Sequence, residues 1–368
     1  MSKQNIVYND ISSASEGKVM TYREAIAQTM RQALHDNPKV ILIGQGVDDH
    51  KGIFGTTTGL INEFGAERVI DTPLAEEGVT GIALGASLNG LYPIMTHIRA
   101  DFILPAMNQI VNLVAKYKYM FGGLFEVPML IRVVIGRSWG QGAQHSQSLQ
   151  SLFAHIPGLV VIMPSSSQSV LEAYPYITGR YRGPVISFEH RLMYDLKFNV
   201  GMERVGKQPM TSHRIREGKD ITIVATSIMV MEALRAANHL SRVSDIDCEI
   251  IDLHCASHPD KALILQSIAK TGRLLVADTS WKAYGVCSEI CRLICEHSPS
   301  ILNAPVTTLG MQPAPCPTAK SLEDMFYPNL RDLTDAIATL VKSKNNHGVP
   351  LPDEKSMADV YKKFKGPF

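Results

Sequence analysis

The chain lacks the features that mark membrane, secreted and nucleic-acid-binding proteins. No apolar run approaches the length needed to cross a bilayer. Residues 1–17 contain no arginine and no long apolar stretch, which argues against a signal or transit peptide. Lysine and arginine (36) nearly balance aspartate and glutamate (35), so no overall positive charge favours nucleic acid or a membrane surface. We therefore expect a cytoplasmic protein whose ligand is a small molecule or another protein.

The six cysteines lack the Cys-x-x-Cys spacing of a structural metal site. Cys287, Cys291 and Cys295 recur every four residues, which places them along one stripe of a predicted helix. Thiols at this spacing usually pack as small apolar side chains. The sequence therefore predicts neither a zinc site nor a disulfide framework.

What the chain does contain is 45% hydrophobic residues over 368 positions, enough for about two domains with substantial cores. Between residues 40 and 190, short β-branched runs alternate with helical patterns. This alternation predicts a doubly wound α/β domain, with a parallel sheet covered on both faces. The predicted strands are 40–43, 68–71, 92–96, 129–135, 159–163 and 184–188, and the predicted helices are 22–35, 77–88, 102–119, 147–154 and 167–178.

A second, smaller α/β domain is predicted from the same alternation later in the chain. Its expected strands are 221–225, 248–253, 273–277 and 306–309, and its expected helices are 229–240, 261–270, 286–297 and 330–341. Residues 191–218 carry mixed charge without periodicity, which is typical of a connector. The predicted division is a polar tail (1–18), the first domain (19–195), the connector (196–218), the second domain (219–343) and a tail (344–368) with a short helix at 354–363.

Two segments place a titratable side chain where a strand or loop gives way to a helix, the usual location of chemistry in open α/β sheets. They are DTPLAEEG at 71–78 and GQGAQHSQS at 140–148. Both resemble the β subunit of the thiamin-diphosphate-dependent decarboxylating component of 2-oxo acid dehydrogenase complexes, within the transketolase-like superfamily. FILPAMNQIVN at 102–112, AKYKYMFGG at 115–123 and HIPGL at 155–159 also match, and the resemblance extends over 20–341.

The resemblance implies that Glu76 hydrogen-bonds the pyrimidine ring of thiamin diphosphate and so helps the cofactor to deprotonate its thiazolium carbon. The surrounding pattern places Glu76 in the first turn of a helix. The helix dipole alone also favours an acidic residue there, so an ordinary helix start is the alternative. Glu77 is the weaker candidate, because its position in the motif is usually variable.

The resemblance also implies roles for a histidine and an aromatic residue. His145 would face the thiazolium ring and assist acyl transfer to a lipoyl group, which suits a side chain that exchanges protons near neutral pH. Phe102 would pack against the pyrimidine ring. The alternatives are a structural histidine and a core aromatic residue. Arg137 and Trp139, in the loop before His145, are in a position to shape the substrate entrance.

The diphosphate-binding motif of this family, Gly-Asp-Gly followed later by asparagine, is absent from the chain. The resemblance assigns that motif, and most of the binding of magnesium and diphosphate, to a separate α subunit. We therefore expect this chain to supply half of each active site in a heterotetramer of two α and two β chains. A lipoyl acyltransferase is the further expected partner.

Several positions depart from the family pattern and predict a divergent branch. Gln45 and Thr96 stand where acidic residues are common, and Asn108 replaces a common aspartate. His254 and Cys255 stand where the family usually has arginine and threonine. The first two departures affect an acidic path between paired active sites, so communication between those sites does not follow from the resemblance.

The sequence leaves three interpretations open. The chain belongs to an enzyme that decarboxylates a 2-oxo acid and transfers the acyl group, to a split transketolase or acyloin-forming synthase, or to a noncatalytic scaffold. QHSQ at 144–147 favours the first over the second. The presence of both Glu76 and His145 argues against the third. Neither the substrate nor the acceptor follows from the residues.

Overall fold

The computed structural model describes residues 7–8, 18–49, 51–136, 140–201, 209–341 and 348–353. Arg137, Trp139 and the helix predicted at 354–363 lie outside the described residues. No helix in the described ranges is long and apolar enough to span a bilayer.

The chain divides into two compact units. The first is formed by the described residues of Met1–Gly136 and Leu152–Met210, and the second by those of Arg137–Ser151 and Thr211–Gly366. The second unit therefore includes the segment 140–151, which carries His145.

The strands of the described residues are numbered in chain order. They are β1 (Val7–Tyr8), β2 (Lys18–Thr21), β3 (Val40–Gly44), β4 (Val69–Asp71), β5 (Tyr92–His97), β6 (Met129–Ile135), β7 (Val160–Ile162), β8 (Pro184–His190), β9 (Lys197–Val200), β10 (His213–Arg216), β11 (Ile221–Ala225), β12 (Cys248–Asp252), β13 (Leu274–Trp281) and β14 (Thr307–Met311).

The helices are numbered in the same way. They are α1 (Tyr22–Asp36), α2 (Gly52–Gly55), α3 (Leu60–Phe64), α4 (Glu76–Leu88), α5 (Tyr117–Met120), α6 (Gln150–Ala154), α7 (Ser167–Gly179), α8 (Ile228–Val243), α9 (Lys261–Thr271), α10 (Val286–His297), α11 (Lys320–Phe326) and α12 (Leu330–Val341). Short 3-10 helices span Ala100–Ala106, Arg191–Met193 and Pro299–Ile301, and a π-helix spans Asn108–Val114.

The first unit is built on a parallel six-stranded sheet in the order β4-β3-β5-β6-β8-β7. Every residue of β3, β5, β6 and β8 is buried, as expected for strands covered on both faces. A small three-stranded sheet, β1-β9-β2, completes the unit. The doubly wound α/β prediction for this part of the chain is confirmed.

The second unit contains a five-stranded sheet in the order β10-β12-β11-β13-β14. β10 runs antiparallel to β12, and the other neighbouring pairs are parallel. The predicted second α/β domain is confirmed. β11, α10 and α12 begin and end at the predicted residues.

The prediction of one continuous helix at 102–119 is wrong. The structure has a 3-10 helix at Ala100–Ala106, a π-helix at Asn108–Val114 and then α5. Pro105 explains the break, because it has no amide hydrogen and its ring clashes with the preceding helical turn. Phe102 is therefore held on a tight turn just after β5 rather than at the start of a regular helix.

The stretch 191–218 was predicted as a connector without core elements, yet its described residues include the strands β9 and β10. β9 pairs with β1 and β2, and β10 pairs with β12. Both strands are short and contain charged residues, and β10 lies at a sheet edge, where one side of a strand has no neighbour in the sheet. The hydrophobic pattern of such strands is weak, which explains why the sequence did not predict them.

The strand order reverses beside β3 in the first large sheet and beside β11 in the second. In the first sheet β4 lies on one side of β3 and β5 lies on the other, so the reversal falls between β3 and β5. In the second sheet the same argument places it between β11 and β13. Open α/β sheets bind ligands outside the carboxyl ends of the strands at such a point.

Candidate active site

Glu76 lies at the reversal point of the first sheet. It lies in the first turn of α4, as the sequence predicted, although the helix begins at Glu76, one residue earlier than predicted, and its side chain is half-buried. Gln45 follows directly after β3, and its Nε2 donates a hydrogen bond to Glu76 Oε1 at 3.1 Å. The amide of Gln45 therefore fixes the carboxylate of Glu76 beside the carboxyl end of β3.

His97 ends β5, on the other side of the same reversal point. Its ring is buried, and among the described residues nothing hydrogen-bonds its Nε2. Burial lowers the pKa of His97 to about 4, while the negative charge of Glu76 acts in the opposite direction. A neutral imidazole with an unpaired buried nitrogen therefore lies within electrostatic reach of Glu76. Buried polar atoms are rarely left unpaired, so this nitrogen indicates a place for a ligand or an ordered water.

Glu77 has a different environment from its neighbour. Its side chain is exposed, and its Oε1 accepts hydrogen bonds from Asn108 Nδ2 at 3.2 Å and Gln109 Nε2 at 3.5 Å. These partners tie Glu77 to the π-helix rather than to the carboxyl end of β3. Of the two carboxylates, only Glu76 lies at the reversal point, in agreement with the sequence-based preference.

Phe102 projects from the 3-10 helix Ala100–Ala106, which packs against α4. Its side chain is 38% exposed, so the alternative of a core aromatic residue is wrong. The helix that begins with Glu76 and the turn that carries Phe102 are thus neighbours in the first unit. An exposed phenyl ring there offers a flat apolar surface to a heteroaromatic ring.

His145 belongs to the second unit, whereas Glu76 and Phe102 belong to the first. The imidazole is half-buried, and the backbone N–H of His145 donates to the carbonyl of Gly142 at 3.4 Å. The joining of all three residues in one site stays a prediction.

Two further histidines lie at the end of a strand or in a turn, and neither is placed at the site. His190 Nδ1 accepts the backbone N–H of Leu192 at 3.2 Å, which makes it the cap of the following turn. His155 is exposed. Across the described ranges, no group of three or more His, Cys, Asp and Glu side chains is arranged to hold a metal ion.

The sequence did not identify Gln45 as part of the site. It was noted only as a departure from an acidic family residue, yet it supplies the hydrogen bond that holds Glu76. Its position directly after a buried strand is the one signal that points to it. The pairing itself joins residues 31 positions apart and is not visible in any local pattern.

Comparison with known proteins identifies the class. Residues 18–197 match the family described as "Transketolase, pyrimidine binding domain", and residues 211–333 match "Transketolase, C-terminal domain". A solved split-gene transketolase, described as an inactive beta4 tetramer, superposes with a TM-score of 0.69 at 22% identity, covering 89% of this chain and 99% of that one. The chain is thus a two-domain protein of the transketolase-like class.

Full-length relatives define the family within that class. The chain is 36% identical over 329 residues to "Pyruvate dehydrogenase E1 component subunit beta-2, mitochondrial" of Oryza sativa subsp. japonica, covering 88% of this chain and 86% of that protein. It is 35% identical over 331 residues to "Pyruvate dehydrogenase E1 component subunit beta" of Rhizobium meliloti, covering 89% and 71%. The chain belongs to the family of pyruvate dehydrogenase E1 component beta subunits. The family and the fold class predicted from the sequence are confirmed.

Proposed function

We propose that the chain is the β subunit of a thiamin-diphosphate-dependent 2-oxo acid dehydrogenase component, which decarboxylates a 2-oxo acid and passes on the acyl group. The observation that carries the proposal is the half-buried carboxylate of Glu76, held by Gln45 at the reversal point of the sheet beside the unpaired Nε2 of His97. Membership of the pyruvate dehydrogenase E1 beta family supports the same reaction.

The residues at this point suit the pyrimidine half of the cofactor. Within the described residues, Glu76 Oε2 has no hydrogen-bond partner, so it remains available for the ring nitrogen of a pyrimidine. The exposed ring of Phe102 provides a stacking surface. When bound, thiamin diphosphate supplies a thiazolium carbon that adds to the carbonyl of a 2-oxo acid. In this proposal Glu76 hydrogen-bonds the pyrimidine ring and so assists deprotonation of the thiazolium carbon. His145 moves a proton during acyl transfer.

The proposal includes an α subunit that carries a Gly-Asp-Gly motif and holds magnesium and the diphosphate group. The absence of that motif from this sequence supports it. The proposed assembly is a heterotetramer of two α and two β chains that delivers the acyl group to a lipoyl acyltransferase. Cytoplasmic residence, expected from the sequence, is part of the proposal, although the rice relative is named as mitochondrial.

The purified chain alone is expected to show no decarboxylation of a 2-oxo acid. It supplies the pyrimidine side of the site, but the diphosphate group and magnesium need the α subunit. Carbon dioxide release with a set of 2-oxo acids, measured with and without the co-expressed α subunit, checks this prediction. Titration calorimetry with thiamin diphosphate and magnesium provides a second readout. Stoichiometric cofactor binding and turnover by the single chain would contradict the shared site.

Replacing Phe102 with alanine is expected to raise the KM for thiamin diphosphate about 2- to 13-fold, because a stacking contact is worth about 0.5–1.5 kcal/mol. Folding should be little affected, since the ring is already 38% exposed. Cofactor titration of the activity of the assembled enzyme checks the prediction. Tyr119, which is 90% exposed, offers a matched aromatic control. An equal change in KM for Phe102→Ala and Tyr119→Ala would contradict a cofactor contact by Phe102.

A further inference from the structure

The segment that carries His145 is fixed to the second unit on both sides of the histidine. On the N-terminal side, the backbone N–H of Gly140 donates to Glu323 Oε1 at 3.3 Å. A Cβ atom at Gly142 would lie 2.7 Å from Thr318 Oγ1, and the φ of Gly142 is +69°. Glycine is therefore required at this position, both for the backbone conformation and for the close approach to Thr318.

On the C-terminal side, Ser148 and Gln150 enter a closed ring of hydrogen bonds with β13. Gln150 Nε2 donates to Thr279 Oγ1 at 3.2 Å, the hydroxyls of Thr279 and Ser148 lie 2.9 Å apart, and Ser148 Oγ donates to Gln150 Oε1 at 2.7 Å. With the Thr279 hydroxyl donating to Ser148, each donor in the ring has one acceptor. The second hydrogen of Gln150 Nε2 goes to Asp278 Oδ1 at 2.9 Å.

The three side chains of the ring are buried, and so is the side chain of Asp278, which accepts a hydrogen bond from Gln150. Those of Gln150 and Asp278 are completely excluded from solvent, and those of Ser148 and Thr279 are nearly so. Asp278 Oδ1 also accepts from Thr226 Oγ1 at 2.6 Å and from the backbone N–H of Thr279 at 2.8 Å. Burial raises the pKa of Asp278, and the hydrogen bonds from Thr226 and Gln150 oppose that rise. Removing one partner of a buried hydrogen bond lowers the folding stability more than removing one at the surface, because the other partner is left unpaired away from water.

The position of this ring in the sheet is informative. Thr226 follows β11, and Asp278 lies just beyond the residues of β13 that pair with β11, so both stand at the reversal point of the second sheet. Sheets of this class usually bind a ligand there. In this chain Gln150 occupies that place, and Asp278 and Thr279 hold it.

We propose that the second domain positions His145 through an anchor made of Ser148, Gln150, Asp278 and Thr279. The histidine lies three residues from Gly142 and three from Ser148, so the length of the chain keeps its Cα within about 11 Å of each fixed point. The four residues are positioning residues that act through the backbone of the segment. This inference rests on the proposed function of His145 in acyl transfer.

The test uses the assembled enzyme with Gln150→Leu, His145→Ala and the double variant. Gln150→Leu is expected to lower the kcat for acyl transfer about 10- to 100-fold, because a displacement of about 1 Å is enough for such a loss. The KM for the 2-oxo acid should stay unchanged. On the His145→Ala background, Gln150→Leu should have no further effect, because the anchor acts only through the histidine. Ser212→Ala, which removes a buried hydroxyl bonded to the carbonyl of Leu253 in the same unit, is the control.

Hydrogen exchange supplies a readout that needs no activity. In Gln150→Leu the backbone amides of residues 142–149 should exchange at least about tenfold faster than in the wild type, whereas Ser212→Ala should leave them unchanged. Unchanged exchange in Gln150→Leu would overturn the anchor. An equal loss of kcat from Gln150→Leu with and without His145 would overturn its action through the histidine. A wild-type assembly inactive towards every 2-oxo acid would refute the proposed function, and the exchange comparison would still decide the anchor.

Discussion

Replacing Glu76 with glutamine is expected to lower decarboxylation by the assembled enzyme about 10²- to 10⁴-fold, the range for loss of a positioned acid–base group. Glutamine has the shape of glutamate and retains Oε1, so it can still accept the hydrogen bond from Gln45. It cannot exchange a proton as a carboxyl group does. The rate of carbon dioxide release from a 2-oxo acid, at saturating thiamin diphosphate and magnesium, checks the prediction.

Glu77 provides the matched control for this experiment. It is the adjacent carboxylate in the same helical turn, but it is exposed and is bonded to Asn108 and Gln109. Glu77→Gln is expected to stay within about twofold of the wild-type rate, as for most surface substitutions. If Glu76→Gln also kept the wild-type rate while assembly with the α subunit was preserved, the scaffold interpretation would be favoured over the catalytic one.

Replacing His145 with alanine is expected to separate the two halves of the reaction. Acyl transfer to a lipoyl acceptor should fall about 10²- to 10⁴-fold, because the imidazole moves a proton in that step. Decarboxylation followed with an artificial electron acceptor should fall much less, because Glu76 is intact in this variant. Parallel assays with the two acceptors measure the difference.

The exposed His155 serves as the control for His145. His155→Ala removes an exposed imidazole from the turn that follows α6, and both rates should remain at the wild-type level. Equal losses of both rates in His145→Ala would place the histidine at a step before acyl transfer. Unchanged rates in that variant would remove His145 from the mechanism.

The central parallel strands of both large sheets were predictable because they are buried on both faces. β6 and β11 are buried at every residue and are apolar except for Arg132 and Thr222, and the sequence alone predicts both ends of each strand. α10 and α12 were equally clear, since each is amphipathic and packs one apolar stripe against the core. The start of α4 was predicted at residue 77, one residue after its observed start at Glu76.

Helices whose ends are set by a single residue or by a side-chain hydrogen bond were not predictable from periodicity. Residues 102–119 have helical periodicity in the sequence, but Pro105 and the π-helix that follows it prevent one continuous α-helix. α6 begins at Gln150, three residues later than predicted, and the side chains of Ser148 and Gln150 are bonded to β13. In these places a specific side chain overrides the periodicity.

The sequence identified candidate residues that lie within a recognisable motif. It missed residues whose importance depends on a partner far away in the sequence. Glu76, Phe102 and His145 each lie within a recognisable segment. Gln45 has its partner Glu76 on another element, and Gln150 lies 128 positions from Asp278. No composition or spacing rule connects such pairs, because the fold alone brings them together.

The most direct test of the account is the exchange of the thiazolium C2 proton of thiamin diphosphate for deuterium in the assembled enzyme without substrate, followed by quenching and proton NMR. This rate reports the deprotonation that Glu76 is proposed to assist and involves no later step. The account predicts an exchange rate about 10²- to 10⁴-fold slower in Glu76→Gln than in the wild type, with Glu77→Gln unchanged. Equal exchange rates in the wild type and Glu76→Gln would contradict it.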